Sequence, residues 1–290
     1  MVQLTSNLTA EWYAERKCIM PYLVLTLLII LLIVVSLFLV RPNSRRDTRK
    51  FEKLPFAHRG YYDNEHGIPE NSLAAFRRAR AHGYGVELDV QLTKDGEAVV
   101  FHDDDLKRMC GSDGHVYDYS LARLRQFRLL RTPEQIPLFA DVLRELGGMP
   151  VICEIKVPAG QDYRPICEKA AVLIDGYKGD ICVESFDPQA VQWFRKNRPE
   201  LIRGQLTMNF YIEPDYSFPM KVAMSELLVN LIGRPDFIAY GADTKETLGL
   251  KICRSFRPMM VAWTVTSQSQ QEMLLKQQYD TVIFEGYRAE

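Results

Sequence analysis

Residues 86–104 read VELDVQLTKDGEAVVFHDD, and two short β-branched runs inside them, Val86–Val90 and Ala98–Phe101, have the character of strands. Glu87 and Asp89 stand two residues apart, so on a strand they project to one side while Val86, Leu88 and Val90 take the other. Similar runs occur on both sides: Pro55–His58, Val151–Val157, Ile181–Phe186, Ile202–Leu206, Phe237–Gly241, Met260–Thr266 and Thr281–Phe284. Helix-period segments separate most of them, at Ser72–His82, Leu138–Leu146, Arg164–Ile174, Pro188–Asn197, Val222–Ile232 and Gln268–Gln278. Ser72 and Asp187-Pro188 mark helix starts; Gly83 and Gly147-Gly148 mark helix ends. Such alternation demands right-handed crossovers and a parallel sheet. The number of strand candidates predicts an α/β fold of the (β/α)8 TIM barrel type over residues 55–290. No G-x-G-x-x-G follows the first strand, which removes the main support for a dinucleotide-binding sheet. Two excursions stand out, 104–137 as a small cap and 208–221 as an irregular, aromatic-rich loop.

Upstream the chain changes character. Residues 21–40, PYLVLTLLIILLIVVSLFLV, carry no charge, and at ~1.5 Å per residue they span roughly 30 Å, a bilayer core. The expected organisation is an N-terminal tail (1–20), one transmembrane helix (21–41), a basic linker (42–54) and the barrel. The run exceeds a signal-peptide core and no A-x-A-like site follows it. Arg16 and Lys17 precede the span, whereas residues 41–53 hold six Lys/Arg, so the flanking charge predicts a single-pass protein with a cytoplasmic body. Cys110, Cys153, Cys167, Cys182 and Cys253 are odd in number and form no CxxC pair, which fits reduced thiols. Formal net charge is −1, with no basic stripe in the body, so nothing points to nucleic acid as a partner.

In a barrel, functional groups gather at the C-terminal ends of strands. His58 is expected to close the first strand, Glu87 and Asp89 to lie near the end of the second, His102 to close the third, and Glu154 and Lys156 to end the fourth. Carboxylates crowded inside a barrel repel one another, a conflict that a divalent cation resolves. Glu87, Asp89 and Glu154 form an all-oxygen set that suits Mg²⁺ or Ca²⁺ better than zinc. His58 and His102 can take and give protons near neutral pH. Arg59 and Lys156 can stabilise charge developing on phosphorus. Glu70 precedes a helix and is expected either to cap it or to hold Arg59 or substrate.

These residues, in this order, resemble the glycerophosphodiester phosphodiesterase family. The likeness runs through AHRG (57–60), PENS (69–72), ELDVQLTKDGEAVVFHDDDLKR (87–108), IPLFADVL (136–143), EIK (154–156), SFDP (185–188) and AWTV (262–265). It implies metal-dependent cleavage of glycerophosphodiesters to sn-glycerol 3-phosphate and an alcohol. By motif position it implies His58 and His102 as the catalytic pair, Glu87, Asp89 and Glu154 as metal ligands, Arg59 and Lys156 on phosphate, and Glu70 in support. The chain departs from the family's Thr-Asp-x-Pro turn after the last strand, reading Phe284-Glu285-Gly286-Tyr287 instead. The rival readings are a lysophospholipase D or cyclising activity on lipid phosphodiesters, and an inactive, tethered binding module.

Overall fold

The computed structural model describes residues 2–43 and 45–290, with side chains from residue 20 onward. Nine strands form one sheet: β1 (Phe56–Ala57), β2 (Gly85–Leu92), β3 (Ala98–Val100), β4 (Val151–Ile155), β5 (Ile181–Ser185), β6 (Arg203–Thr207), β7 (Phe237–Gly241), β8 (Met259–Val265) and β9 (Thr281–Phe284). β1 pairs in parallel with both β2 and β9, through Phe56↔Gly85 and Phe56↔Ile283, and this closes a parallel barrel of eight strands. The expected TIM barrel is therefore present.

The ninth strand corrects an expectation. β3 runs antiparallel to β2, with Val90 opposite Val100, so it is the return arm of a hairpin and not the third stave. β4 occupies that place, pairing in parallel with β2. His102 thus reaches the rim on a hairpin end. Gln91 fixes that end by donating from Nε2 to the carbonyls of Phe101 and Asp103, both at 2.9 Å.

Side-chain parity sorts the strands as expected. Val86, Leu88 and Val90 pack outward among the surrounding helices, whereas Phe56, Ile152, Cys182, Leu206, Phe237, Met259, Val261 and Ile283 fill the lower interior. A Cβ on Gly204 would stand 2.2 Å from the Phe237 ring, so only glycine admits that ring. Apolar side chains plug the lower barrel, and the carboxylates lie above them.

Helix starts follow the capping signals. Ser72 Oγ accepts from the Ala75 N–H at 3.1 Å to open Leu73–Ala81, and Asp187 accepts from Gln189 at 2.7 Å ahead of Pro188–Asn197. The expected single helix over Val222–Ile232 is two, Phe218–Ser225 and Asn230–Gly233, because fully buried Leu227 adopts φ 56° between them. A further helix, Leu248–Arg254, gave no clear period. It spans only seven residues, and Gly249 presses so close to the Glu226 backbone that a Cβ there would lie 2.2 Å from the carbonyl oxygen. The 104–137 excursion packs around its own cluster of Leu106, Met109, Val116, Leu124, Leu129 and Ile136.

The N-terminal helix runs from Val2 to Val40. Its Met20–Val40 portion is long and apolar enough to cross a membrane. Residues 20–35 are exposed, and the last turn meets the body, where Val40 is buried. Arg16 and Lys17, on which the expected orientation turns, lie outside the residues whose side chains are described.

Residues 41–43 and 45–54 are docked beneath the barrel. Asn43 donates to Asp236 at 2.6 Å and to the Pro235 carbonyl at 2.7 Å, just before β7. Lys50 pairs with Asp180 at 2.6 Å, just before β5. Phe51 is fully buried and joins the lower interior cluster. The polypeptide therefore leaves the apolar helix and seals the floor opposite the catalytic rim.

Candidate active site

Strand pairing alone brings the acidic residues together. Asp89 on β2 lies in register with Glu154 on β4, and Glu154 with Glu184 on β5, all pointing into the barrel. Glu87, Asp89 and Glu154 are buried, and each offers a carboxylate oxygen within 4.8 Å of the other two. Burial, followed by repulsion from Asp89, Glu154 and Glu184, pushes the Glu87 carboxyl well above its usual range. Glu184 was not singled out from sequence. It is raised well above its usual range by burial and by Glu154 and Asp89, and its Oε2 has no partner among the described residues. This excess of buried acid is chemically suited to a hard divalent cation.

Lys156 partly answers the charge. Its Nζ is 3.0 Å from Asp89 Oδ1 and 3.0 Å from Glu154 Oε1. Burial disfavours the ammonium, but these two carboxylates outweigh it and hold Lys156 above its ordinary value. Burial likewise opposes charge on Asp89, yet Lys156, His102 and Arg59 together keep it ionised and depressed.

The two imidazoles are each tied to a carboxylate. His58 Nδ1 lies 2.7 Å from Glu285 Oε2, so Nδ1–H donates and Nε2 faces the pocket, 4.0 Å from Glu87. Burial lowers the His58 value, against the opposing pull of Glu285. His102 Nδ1 donates to Asp103 Oδ1 at 2.9 Å, leaving its Nε2 available as well. Each ring is thus held in one tautomer by a carboxylate, an arrangement that suits proton transfer through Nε2.

Arg59 and Asn71 are non-glycine residues at positive φ, 53° and 54°. The strain is held by contacts at the site. The Arg59 N–H donates to Glu87 at 3.0 Å, its Nη1 donates to Glu70 at 2.7 Å, and the Asn71 amide donates to Asp89 at 2.8 Å. Glu70 holds Arg59 and receives a two-pronged clamp from Arg108 at 2.7 and 2.8 Å. Burial works against its charge, but Arg108, Arg59 and Asn64 bring its carboxyl down to about 2. Ser72, not Glu70, caps the helix.

Four contributors escaped the sequence reading: Glu285, Asp103, Arg108 and Glu184. Arg108 clamps Asp103 at 2.7 Å as well as Glu70, linking the small cap to the histidine hairpin. Glu285 sits in the very turn that departs from the family's pattern, and it turns that departure into a partner for His58 and for Tyr62 at 2.8 Å. Glu285→Gln is expected to lower kcat about tenfold to 100-fold with KM little changed, because a neutral amide holds the ring less firmly and stabilises imidazolium less. A steady-state kcat/KM split on purified protein checks it.

Across the pocket, Phe186 and Trp263 meet edge to face at 5.6 Å. Trp263 Nε1 is buried with no hydrogen-bond partner among the described residues. The 208–221 excursion borders this side and exposes Ile212, Phe218 and Met220.

A closed parallel barrel whose C-terminal rim carries paired imidazoles, cations and a carboxylate cluster has the architecture of a barrel hydrolase. The chain belongs to the glycerophosphoryl diester phosphodiesterase family, whose profile matches residues 58–286. A glycerophosphodiester phosphodiesterase of Caldanaerobacter subterraneus is 29% identical over 242 residues, covering 79% of this chain and 93% of that protein. The crystal structure of a Thermotoga maritima glycerophosphodiester phosphodiesterase is 26% identical with a TM-score of 0.61, covering 80% of this chain and 93% of that one. An Oleispira antarctica phosphodiesterase in complex with the product sn-glycerol-3-phosphate shares the fold at 23% identity and a TM-score of 0.67, covering 81% and 94%.

Proposed function

We propose that this chain is a membrane-anchored, metal-dependent phosphodiesterase that releases sn-glycerol 3-phosphate and an alcohol from glycerophosphodiesters. One observation carries the reading: three buried carboxylates converge within 4.8 Å beside an imidazole locked by its own acid partner. Glu87, Asp89 and Glu154 would hold one Mg²⁺ or Ca²⁺. Bound there, the ion supplies positive charge for the phosphoryl oxygens.

The protein's own groups divide the remaining work. Arg59, steered by Glu70, presents its guanidinium to the phosphate, and Lys156 supplies a second, compact positive charge. One of His58 and His102 removes a proton from the attacking hydroxyl, which is water or the substrate's own adjacent glycerol hydroxyl; in the latter case a cyclic phosphate forms and water opens it in a second step. The other protonates the departing alkoxide. Both use Nε2, since both Nδ1 positions are engaged. The half-buried aromatic pair Phe186 and Trp263 would flank the alcohol side.

The apolar helix joins the floor and the mouth lies at the opposite end, which favours substrate delivered from water rather than from the bilayer holding the helix. Exposed Ile212, Phe218 and Met220 near the mouth favour a second reading, a lysophospholipid whose acyl chain they would cover. Parallel assays on glycerophosphocholine and lysophosphatidylcholine decide between them. Glycerol 3-phosphate from the soluble diester is the expected product; turnover confined to the lysolipid would favour the second reading, and turnover of neither would refute both.

A further inference from the structure

Five arginines converge at the floor, on the face opposite the catalytic rim. Arg41 follows the last apolar residue of the N-terminal helix, Arg45 lies on the docked segment, Arg195 on helix Pro188–Asn197, Arg203 on β6 and Arg234 just before β7. With Phe38, Pro42 and Asn43 they line a cavity of about 400 Å³. Asp236 is the one carboxylate paired with any of them among the described residues, 3.4 Å from Arg203.

The cluster is more than a solvated basic face. Arg203 is only 4% exposed, yet its Nε has no partner among the described residues, and its terminal nitrogens reach backbone carbonyls at only 3.3 and 3.4 Å. Arg234 is otherwise committed: it donates to the Phe38 and Arg41 carbonyls at 2.8 and 2.6 Å and lies 4.7 Å from the Phe38 ring centroid. That accounts for Arg234 as a cap on the helix C-terminus. It leaves Arg41, Arg45 and Arg195 without a carboxylate partner among the described residues. Burial, with repulsion from Arg195 and Arg46, lowers the Arg203 value, and burial with Arg195 and Arg41 lowers that of Arg234. The pocket therefore concentrates positive charge that an anion would relieve.

We propose that this cavity binds the phosphate of an anionic phospholipid at the membrane surface. The commitment to lipid rests on position. The cavity incorporates Phe38 and Arg41, which straddle the end of the apolar span, so a headgroup would meet the arginines at the depth where its acyl chains run beside the exposed helix. The bound lipid would pin the floor to the bilayer and hold the catalytic mouth outward.

The test uses the full chain in neutral detergent micelles doped with phosphatidylglycerol or phosphatidylcholine, with bound lipid counted by native mass spectrometry. Phosphatidylglycerol is expected to bind at least about tenfold more tightly, and each of Arg45→Gln and Arg195→Gln to weaken it about fivefold. Both side chains are exposed, so the variants should keep the fold and full activity on a soluble diester. Equal retention of the two lipids, or unchanged phosphatidylglycerol binding in the double variant, would overturn the proposal. So would inorganic phosphate displacing phosphatidylglycerol at equal concentration, which would make the cavity a free-phosphate site.

Discussion

His58→Ala and His102→Ala are each expected to lower kcat on glycerophosphocholine at least ~10²-fold while leaving the thermal midpoint within a few degrees of the parent. Each ring is seated by a carboxylate at hydrogen-bond distance and directs its other nitrogen into the pocket. Removing either leaves the cations and carboxylates in place but, on the proposed mechanism, would break the proton path on one side of the phosphorus. The His102 side chain is 31% exposed, so its removal costs little packing; that of His58 is 13% exposed and its removal costs somewhat more, mainly against polar groups of the site. The control is His82→Ala: His82 is an exposed side chain at a helix end whose Nδ1 meets the Arg78 carbonyl at 2.8 Å, and activity should be unchanged. Retention of near-parent kcat in either of the first two variants removes that residue from the mechanism. A buried-core explanation for the loss predicts a fall in thermal midpoint instead.

The barrel was legible because period-2 parity and strand–helix alternation are local properties. Glu87 and Asp89 declare their shared face within five residues, and the register of β2 with β4 then delivers Glu154 to Asp89. What stayed hidden depends on distance along the chain. Nothing local in Ala98–Phe101 distinguishes a stave from the returning arm of a hairpin; only pairing with Val90 reveals it. Glu285 is 227 residues from His58, so a turn that looks like a departure in sequence becomes a partner only once β1 and β9 close the barrel. Glu184 offered no second acidic group on its own strand to draw notice, and Arg108 sits in a cap whose docking no periodicity encodes. Residues 42–54 read as a basic linker because their charges dominate the composition, while the fully buried Phe51 that helps anchor them carries little weight in such a reading.

Chelation of divalent metal is expected to cost at least ~10²-fold in activity, restored by Mg²⁺ or Ca²⁺, since an ion in such a site supplies several kcal/mol of charge stabilisation. Activity alone would not prove that the carboxylates are the ligands, so stability gives the second measurement. Glu87 and Glu184 are held far above their usual range by burial and by their acidic neighbours, so the metal-free pocket contains acid that cannot ionise comfortably. An ion favours the ionised forms and binds only the folded chain. At 100-fold excess over its dissociation constant it adds about 2.7 kcal/mol, which at ~2–4 °C per kcal/mol raises the thermal midpoint by roughly 5–10 °C. Glu154→Gln separates a ligand from a structural acid. Lys156 keeps Asp89 as a partner at 3.0 Å in that variant, and one source of repulsion disappears, so the metal-free protein should melt no lower than the parent. The metal-induced rise should nonetheless shrink or vanish, and activity with it. A Glu154→Gln protein that still gains the full rise would place the ion elsewhere; one that melts well below the parent without metal would assign Glu154 to the fold through its 3.0 Å pairing with Lys156.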